Sequence, residues 1–535
     1  MLRLLEIKLP IDHSENDLKF KLLELLKISA SDLIEYRVHK KSIDARKHRV
    51  VTFIYIVDVE VKNQDALFDR LKTKTKIEHT PDMTYKLVAA APPVSTRPVI
   101  IGTGPSGLFA GLILAQMGFC PVLFERGKSA NDRAADVYRF WKSGLLDPQS
   151  NVQFGEGGAG TFSDGKLTTQ IKDRQNRCQK VLTELVSAGA PQEIMYLNKP
   201  HLGTDNLIRI VKNIRNTIIS LGGQVRFETN VTDLIINNGR IAAVVIDEKE
   251  QVAADCVVLA IGHSARDTFE MLYTKGVSIE PKPFSVGLRI EHPQKMIDKS
   301  QFGDFAGHPK LGPADYKLVH HCQNNRTVYT FCMCPGGQVI AASSEMGGIV
   351  TNGMSAFFRN KVNANSALLV PVTTSDFDSD HPLAGIYFQH KYEQKAFELG
   401  GSNYYAPVQL VQDFLIGRPS DSLGFVEPSY KPGFTLTDLT PCLPEYVIAS
   451  IKEAITAFSA KLTGFAMPTA VLTGVETRSS CPLRILRNED YESISTTGLF
   501  PAGEGAGYAG GIISSAVDGI KVAEAVAAKI TRKTS

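Results

Sequence analysis

The sequence predicts an α/β fold built on a parallel nucleotide-binding sheet, because three glycine-bearing segments follow apolar strands in a characteristic order. The first, residues 102–107, follows the apolar residues 98–101. The second is residues 256–262, and the third, residues 499–505, continues in glycine-rich sequence to Gly511. A flavoprotein uses one sheet whose last strand returns at the end of the chain. The order and wide separation of the segments are therefore typical of bound FAD.

The length and composition indicate a globular protein with more than one domain. The 535 residues are 43% hydrophobic and 21% charged, and the net charge of +3 gives no global electrostatic argument for nucleic acid or membrane. The eight cysteines do not form the pattern of a disulfide framework, so a cytoplasmic location is expected. The first residues alternate as a strand does, and no signal peptide is indicated.

Residues 1–90 are predicted to form a separate small domain with the element order β-α-β-β-α-β, which is the ferredoxin-like arrangement. Its first helix begins in the capping box Ser14-x-x-Asp17, and its clearest strand covers residues 51–59. The last strand is expected where apolar residues alternate once more, at Met83, Tyr85 and Leu87.

Composition and the periodicity of apolar residues divide the rest of the chain into a linker and two domains. Residues 91–96 are a linker by composition, and the first part of a cofactor-binding domain covers residues 97–270. Mixed strands and long helices over 271–475 predict an inserted substrate-side α+β domain. The chain then returns to the cofactor-binding domain over 476–535. The helices expected in the first part lie near residues 129–144, 173–189 and 205–220.

The first glycine segment has the residues that a pyrophosphate needs. Gly102 permits a tight turn, Gly104 lets the backbone approach the phosphates, and Gly107 lets the following helix pack closely on the sheet. Glu125 ends the second strand, where a carboxylate accepts hydrogen bonds from ribose hydroxyls and repels a 2′-phosphate. FAD or NAD is therefore favoured over NADP. The other residues expected to contact the cofactor here are Pro105, Ser106 and Arg126.

Two further glycine-rich segments are expected to contact FAD. In the loop GEGGAGTFSDGK the backbone is expected along the pyrophosphate and flavin, and Lys166 either places positive charge near the flavin or is a solvated lysine. In the last segment Glu504 is expected to hold a ribityl hydroxyl, and the helix that follows to face the flavin. The remaining predicted contacts are Gly157, Gly158, Ala159, Gly160, Thr161, Ser163, Asp164, Gly165, Ala260, Gly262, Gly503, Gly510, Gly511 and Ile512.

Four residues are candidates for catalysis: Lys166, Arg289, Cys334 and Arg478. The two arginines are either ligands of an anionic substrate or members of structural ion pairs. Cys334 and Cys332 share one face of a strand, so they are either small residues of a sheet core or thiols beside the flavin. Their spacing is too short for a usual zinc site, and no metal is predicted.

Several sequence runs together resemble a bacterial family of FAD-dependent dehydrogenases whose substrate is unassigned. These runs are GEGGAGTFSDGKL, AIGHSARD, GLRIEHPQ, FCMCPGG, SSCPLRILR and PAGEGAGYAGGI. The resemblance covers the whole chain. It implies an FAD oxidoreductase with a glutathione-reductase-type FAD-binding Rossmann domain and a ferredoxin-like domain ahead of it.

The function expected from these observations is a hydride exchange between flavin N5 and a small-molecule substrate. The chain lacks a second GxGxxG and a cysteine pair near the first helix, which disfavours a disulfide reductase. NAD(P)H could still dock transiently at the flavin. The alternatives are a flavin monooxygenase and a flavin-dependent RNA-modifying or redox-sensing binding protein. Only two basic runs near residues 37–49 favour RNA, and the stacking pattern of an RNA-recognition motif is absent. The oligomeric state is not predicted.

Overall fold

The computed structural model describes residues 1–47, 50–90 and 97–534, and the predicted linker at 91–96 lies outside the described residues. The capping box predicted at Ser14 and Asp17 is confirmed. The N-terminal strands form an antiparallel sheet of order β2-β3-β1-β4. Its elements are β1 (Leu2–Pro10), α1 (Glu15–Leu26), β2 (Leu33–Lys47), β3 (Val50–Val61), α2 (Gln64–Leu71) and β4 (Ile77–His79).

The prediction of the last N-terminal strand was wrong. The strand lies at β4, where Leu2 is paired with His79, and residues 83–87 are not a strand. Pro81 follows β4 and has no N–H to continue the ladder. The side chain of Tyr85 is used elsewhere, because its hydroxyl donates to Glu524 at 2.9 Å. The segment therefore connects the N-terminal unit to the C-terminal helix.

The next part of the chain supplies a parallel sheet, and the three helices predicted near 129–144, 173–189 and 205–220 are confirmed. A three-stranded antiparallel sheet, β10-β9-β8, branches from it. The elements are β5 (Val99–Ile101), α3 (Pro105–Gln116), β6 (Val122–Phe124), α4 (Ala130–Ser143), α5 (Arg177–Ser187), α6 (Gly203–Ser220), β7 (Gln224–Arg226), β8 (Val231–Asn237), β9 (Arg240–Ile246), β10 (Glu250–Ala253), β11 (Val257–Leu259) and α7 (Arg266–Thr274).

A seven-stranded, mostly antiparallel sheet of order β14-β15-β18-β13-β21-β19-β20 dominates the following region. The elements are β12 (Ile279–Pro281), β13 (Phe284–Pro293), α8 (Gln294–Phe302), β14 (Val319–His321), β15 (Thr327–Cys334), β16 (Gln338–Ala341), β17 (Thr351–Met354), β18 (Asn363–Val372), α9 (Ala384–Leu399), β19 (Ala406–Leu410), α10 (Val411–Ile416), β20 (Phe434–Leu436), α11 (Glu445–Lys461) and β21 (Val471–Glu476).

The end of the chain completes the parallel sheet. It contains β22 (Leu483–Ile485), β23 (Leu499–Pro501) and α12 (Ile512–Thr534). Strand β23 pairs with β11, which gives a five-stranded parallel sheet of order β23-β11-β5-β6-β7. Helix α12 packs along α3, which is buried from Ser106 to Ala115. No helix in the described ranges is long and apolar enough to cross a membrane.

Substitution of Gly519 on α12 tests how closely α12 packs against α3. A Cβ at this position would lie 2.1 Å from the Ser106 carbonyl oxygen, so Gly519→Ala forces α12 away from the start of α3. We expect a loss of about 1–3 kcal/mol in the free energy of unfolding, typical of overpacking. Gly312→Ala is the control, because its Cβ would meet nothing within 4 Å. Equal midpoints of thermal unfolding for the two variants would contradict the close packing.

Candidate functional site

A cavity of about 360 Å³ lies where the three glycine segments meet strands β15, β17 and β21. Lys166 and Arg478 are part of its wall, whereas Arg289 and Cys334 are not. The structure thus brings together most of the predicted cofactor contacts. Those in the wall are Gly102, Gly104, Pro105, Ser106, Glu125, Arg126, Gly158, Ala159, Gly160, Ser163, Asp164, Gly165, Ala260, Gly262, Glu504, Gly510, Gly511 and Ile512.

The other four predicted contacts, Gly107, Gly157, Thr161 and Gly503, do not line the cavity. They lie behind the wall and shape it. A Cβ on Gly157 would lie 2.1 Å from the Thr161 hydroxyl, and that hydroxyl donates to the Glu156 carbonyl. The amide of Gly503 donates to Asp518 at 2.7 Å. The contacts of Gly157 and Gly503 therefore hold the backbone of the wall in place.

The turn before α3 fits a pyrophosphate. Gly102 has φ +96°, and a Cβ there would lie 2.4 Å from the Ala260 carbonyl oxygen, so only glycine suits the position. The N-cap of α3 is Gly104, which supplies no side chain to satisfy the first amides of the helix. The Ser106 hydroxyl is buried and has no hydrogen-bond partner among the described residues. These unused donors point to an anion at the helix start.

Glu125 lies in the wall with both carboxylate oxygens already occupied. One oxygen accepts from the amide and hydroxyl of Thr103, at 2.9 and 2.7 Å. The other accepts from the amides of Gly127 and Gly155, at 3.0 and 2.9 Å. A ribose hydroxyl therefore has to replace one of these donors, and the rotatable Thr103 hydroxyl is the one that can turn away. Glu125 thus connects the turn at Thr103 to the glycine-rich loop that begins at Gly155.

Arg133 is a functional residue that the sequence analysis missed. It lies on α4, is 0% exposed, and holds the backbone of the loop at residues 151–158. Burial lowers the pKa of Arg133 to about 10, against the attraction of Glu125 and Glu156. The signal was available, because Arg133 shares a helical face with Ala130, Val137 and Phe140. The guanidinium donates to the carbonyls of Asn151, Val152, Gly155, Glu156 and Gly158.

Lys166 is in the wall but is not a free cation. Its ammonium donates to the Met333 carbonyl and lies 3.3 Å from the Asp164 carboxylate. Asp164 is also bound by Arg359 at 2.6 Å. Although burial opposes it, Lys166 and Arg359 hold the pKa of Asp164 below its usual range. This cluster connects the glycine-rich loop at residues 155–166 to strand β15.

Arg289 and Cys334 lie behind the wall. Arg289 is 0% exposed, and its guanidinium binds Glu476 at 2.5 and 3.0 Å and Asn365 at 2.6 Å. It therefore has the structural ion pair that the sequence analysis left open. Cys334 is also fully buried. Its neighbour Cys332 is the cysteine that lines the cavity.

Arg478 reaches the cavity, but carboxylates hold its guanidinium. It donates to Glu393 at 2.8 and 3.0 Å and to Glu345 at 3.2 Å. Arg266 of α7 binds the same two carboxylates, so the four side chains form one network. Burial and then the two arginines lower the pKa of His263 in the adjoining wall to about 3. Its imidazole is therefore neutral at physiological pH.

Glu504 differs from the other carboxylates of the wall, because the described part of the chain donates no hydrogen bond to its carboxylate. Burial raises the pKa of Glu504 to about 7, opposed by the charge of Lys282. Burial also lowers the pKa of Lys282. Glu504 can thus accept from, or donate to, a ligand hydroxyl near neutral pH.

Two family profiles match parts of the chain. One, described as the C-terminal domain of an FAD-dependent protein, matches residues 283–479, and the other, described as a domain of unknown function, matches residues 1–60. An uncharacterized protein of Clostridium beijerinckii is 48% identical over 529 residues, which cover 99% of each chain. The chain belongs to this family of FAD-dependent proteins. The resemblance noted from the sequence is thereby confirmed.

FAD is accordingly the cofactor, and the protein is a flavin-dependent oxidoreductase. Solved structures give only a distant likeness. The flavin-dependent brominase Bmp2 is 12% identical, with 82% of this chain and 79% of that chain covered and a TM-score of 0.36. A geranylgeranyl bacteriochlorophyll reductase-like protein of Thermoplasma acidophilum is 11% identical, with 82% and 79% covered and a TM-score of 0.35.

The substitution Arg133→Lys tests whether the guanidinium organises the loop at residues 151–158. Lysine keeps the charge but cannot supply forked donors to several carbonyls, and each buried hydrogen bond lost costs about 1–3 kcal/mol. We expect the variant to lose most of its FAD during purification, as measured by flavin absorbance per chain. Arg139→Lys is the control on the same helix, since the Arg139 side chain is 53% exposed. Full FAD retention in Arg133→Lys would contradict this role.

Glu504→Gln tests the buried carboxyl. The folded chain raises the pKa of Glu504 from 4.5 to about 7, so Glu504 binds its proton more tightly when folded. The free energy of unfolding therefore falls as pH rises from the lower value towards the higher one. In flavin-free protein the variant should gain Tm relative to the wild type between pH about 5 and about 8. The exposed Glu489→Gln is the control, and a pH-independent difference for Glu504→Gln would disprove the shift.

Proposed function

We propose that FAD lies along this cavity and exchanges a hydride between flavin N5 and a small-molecule substrate. The observation that carries the proposal is the composition of the wall, in which all three glycine segments meet the region matched by the FAD-dependent profile. The glycine side of the wall has unused backbone donors, and the opposite side has the polar and thiol groups expected around a reacting ring.

Each part of FAD has a matching group in the wall. The pyrophosphate would be held by the first amides of α3 and the Ser106 hydroxyl. Glu125 would bind the ribose once the Thr103 hydroxyl turns away, and Glu504 would bind a ribityl hydroxyl. The start of α12, with Gly510 and Gly511 in the wall, would face the pyrimidine edge of the flavin. Its positive dipole end favours the negative charge of the reduced state.

The bound flavin supplies two-electron hydride chemistry, and the chain supplies orientation and water exclusion. The wall opposite α3 includes Phe331, Cys332, Asn352 and Ser479. The Arg478–Glu393 pair is buried on this side of the cavity and holds the side chain of Arg478 in place. Burial opposes it, yet the negative groups beside Lys166, among them Asp164, raise its pKa overall, so its ammonium keeps a proton.

The charges of the wall favour an uncharged substrate. The described wall contains the cations Arg126, Lys166 and Arg478, and each is paired with a carboxylate. An anionic substrate would have to displace one of these carboxylates, and Asp164 or Glu393 would then be left buried and unpaired. The anion-binding role considered for Arg289 and Arg478 is therefore replaced by a positioning role.

The finer description of the fold is part of the same proposal. The five-stranded parallel sheet with its late strand β23 supports a Rossmann domain of the glutathione-reductase type, made of residues 97–270 and 476–535. Residues 271–475 would form the inserted substrate-side domain. The order β2-β3-β1-β4 supports a ferredoxin-like domain over residues 1–90. No disulfide links the described cysteines, which supports a reducing, cytoplasmic location.

An anaerobic visible spectrum tests the hydride exchange. Protein purified without added flavin should show a flavin band, and heat should release one FAD per chain. Bleaching of the band by NADH or NADPH would identify a transient nicotinamide donor, whereas a persisting band would direct the search to organic hydride donors. A colourless protein that FAD cannot reconstitute would overturn the proposal. Oxygen from O2 in a product would replace it by the monooxygenase alternative.

A further inference from the structure

A bulge in strand β15 turns Cys332 towards the cavity. The pairing with β18 joins Phe331 to Ala367 and Cys334 to Asn365, so β15 carries one extra residue between these pairs. Cys332 has φ +42°, a conformation that is uncommon for a residue other than glycine. Bulges of this kind re-aim side chains and are frequent beside active sites. The backbone thus departs from a regular strand at the cysteine that lines the wall.

Cys334 lies directly behind Cys332. Its Sγ is 3.3 Å from the Cys332 carbonyl oxygen, and its side chain is 0% exposed. In a regular strand, two residues separated by a single residue have Cα atoms about 6.7 Å apart, which is within the range that a disulfide spans. The bulge departs from that regular spacing at Cys332.

Positive groups surround the two cysteines. The Lys166 ammonium donates to the carbonyl of Met333, the residue between the cysteines. Arg289 donates to the Cys332 carbonyl at 3.3 Å. A hydrogen bond from Cys334, and then the charges of Lys166 and Arg289, lower the pKa of Cys332 against the effect of burial. These opposite pKa directions favour Cys332 as the thiolate of the pair and Cys334 as the protonated thiol.

We propose that Cys332 and Cys334 form a redox-active dithiol that exchanges an electron pair with the flavin bound in this cavity. The inference rests on the proposed position of FAD. In the oxidising direction, the Cys332 thiolate and the Cys334 thiol form an S–S bond. The electron pair and the Cys334 proton pass to oxidised FAD, which becomes the anionic reduced flavin. In the reverse direction, the reduced flavin returns both to the disulfide, so the protein stores two electron pairs.

Anaerobic titration of the flavin-loaded protein with dithionite measures this store. The wild type should take up four electrons per FAD, and Cys332→Ser and Cys334→Ser should each take up two. Cys322→Ser is the control, because this buried cysteine does not line the cavity, and it should still take up four. A long-wavelength absorption band should appear at the half-way point of the wild-type titration and be absent in Cys332→Ser. This band would show that the Cys332 thiolate contacts the oxidised flavin ring.

Thiol counting on the wild type gives a second readout that does not depend on any variant folding. After denaturation, the reduced protein should show all eight cysteines as thiols, and the oxidised protein two fewer. A wild type that takes up two electrons per FAD and shows eight thiols in both states would overturn the dithiol while leaving the flavin role intact. Absence of bound FAD would instead refute the proposed function.

Discussion

The structure depends on close contacts between backbone segments around residues 102–107, where glycines have no side chain to keep the segments apart. Without side chains, Gly102 meets the Ala260 carbonyl and Gly519 meets the Ser106 carbonyl at distances that no Cβ would allow. These two contacts join the residue after β11, helix α3 and helix α12, which are far apart in sequence. They leave the first amides of α3 open to the cavity, and amides in that position bind phosphates. The same two contacts thus shape both the fold and the cavity.

Buried charges fix the opposite side of the cavity. The Arg289–Glu476 pair and the network of Arg478 and Arg266 with Glu393 connect the antiparallel sheet, α9 and α7. Taking such groups out of water costs free energy, and removing one partner leaves a charge unpaired. The networks therefore hold one arrangement of the wall. A wall whose charges are balanced internally suits the uncharged substrate of the proposed function.

Local patterns in the sequence predicted the helices and the glycine segments, because those depend on periodicity and on backbone conformations that only glycine adopts. These local patterns failed where a contact with a residue far away in the sequence determines the structure. Tyr85 alternates as in a strand, yet it packs against α12. Arg133 was missed because its role depends on five backbone carbonyls of a loop about 20 residues further along the chain, which no sequence pattern indicates. Spacing could place Cys332 and Cys334 on one face, but only the bulge decides which thiol lines the cavity.

A crystal structure of the flavin-loaded protein tests the central claim most directly, namely that FAD spans this cavity from α3 to β15. Electron density should place the pyrophosphate at the amides that follow Gly104 and the ring beside Cys332. Glu125 should lie against the ribose and Glu504 against the ribityl chain. FAD bound in another cleft, or with its adenine against β15 and its ring at the surface, would contradict the claim.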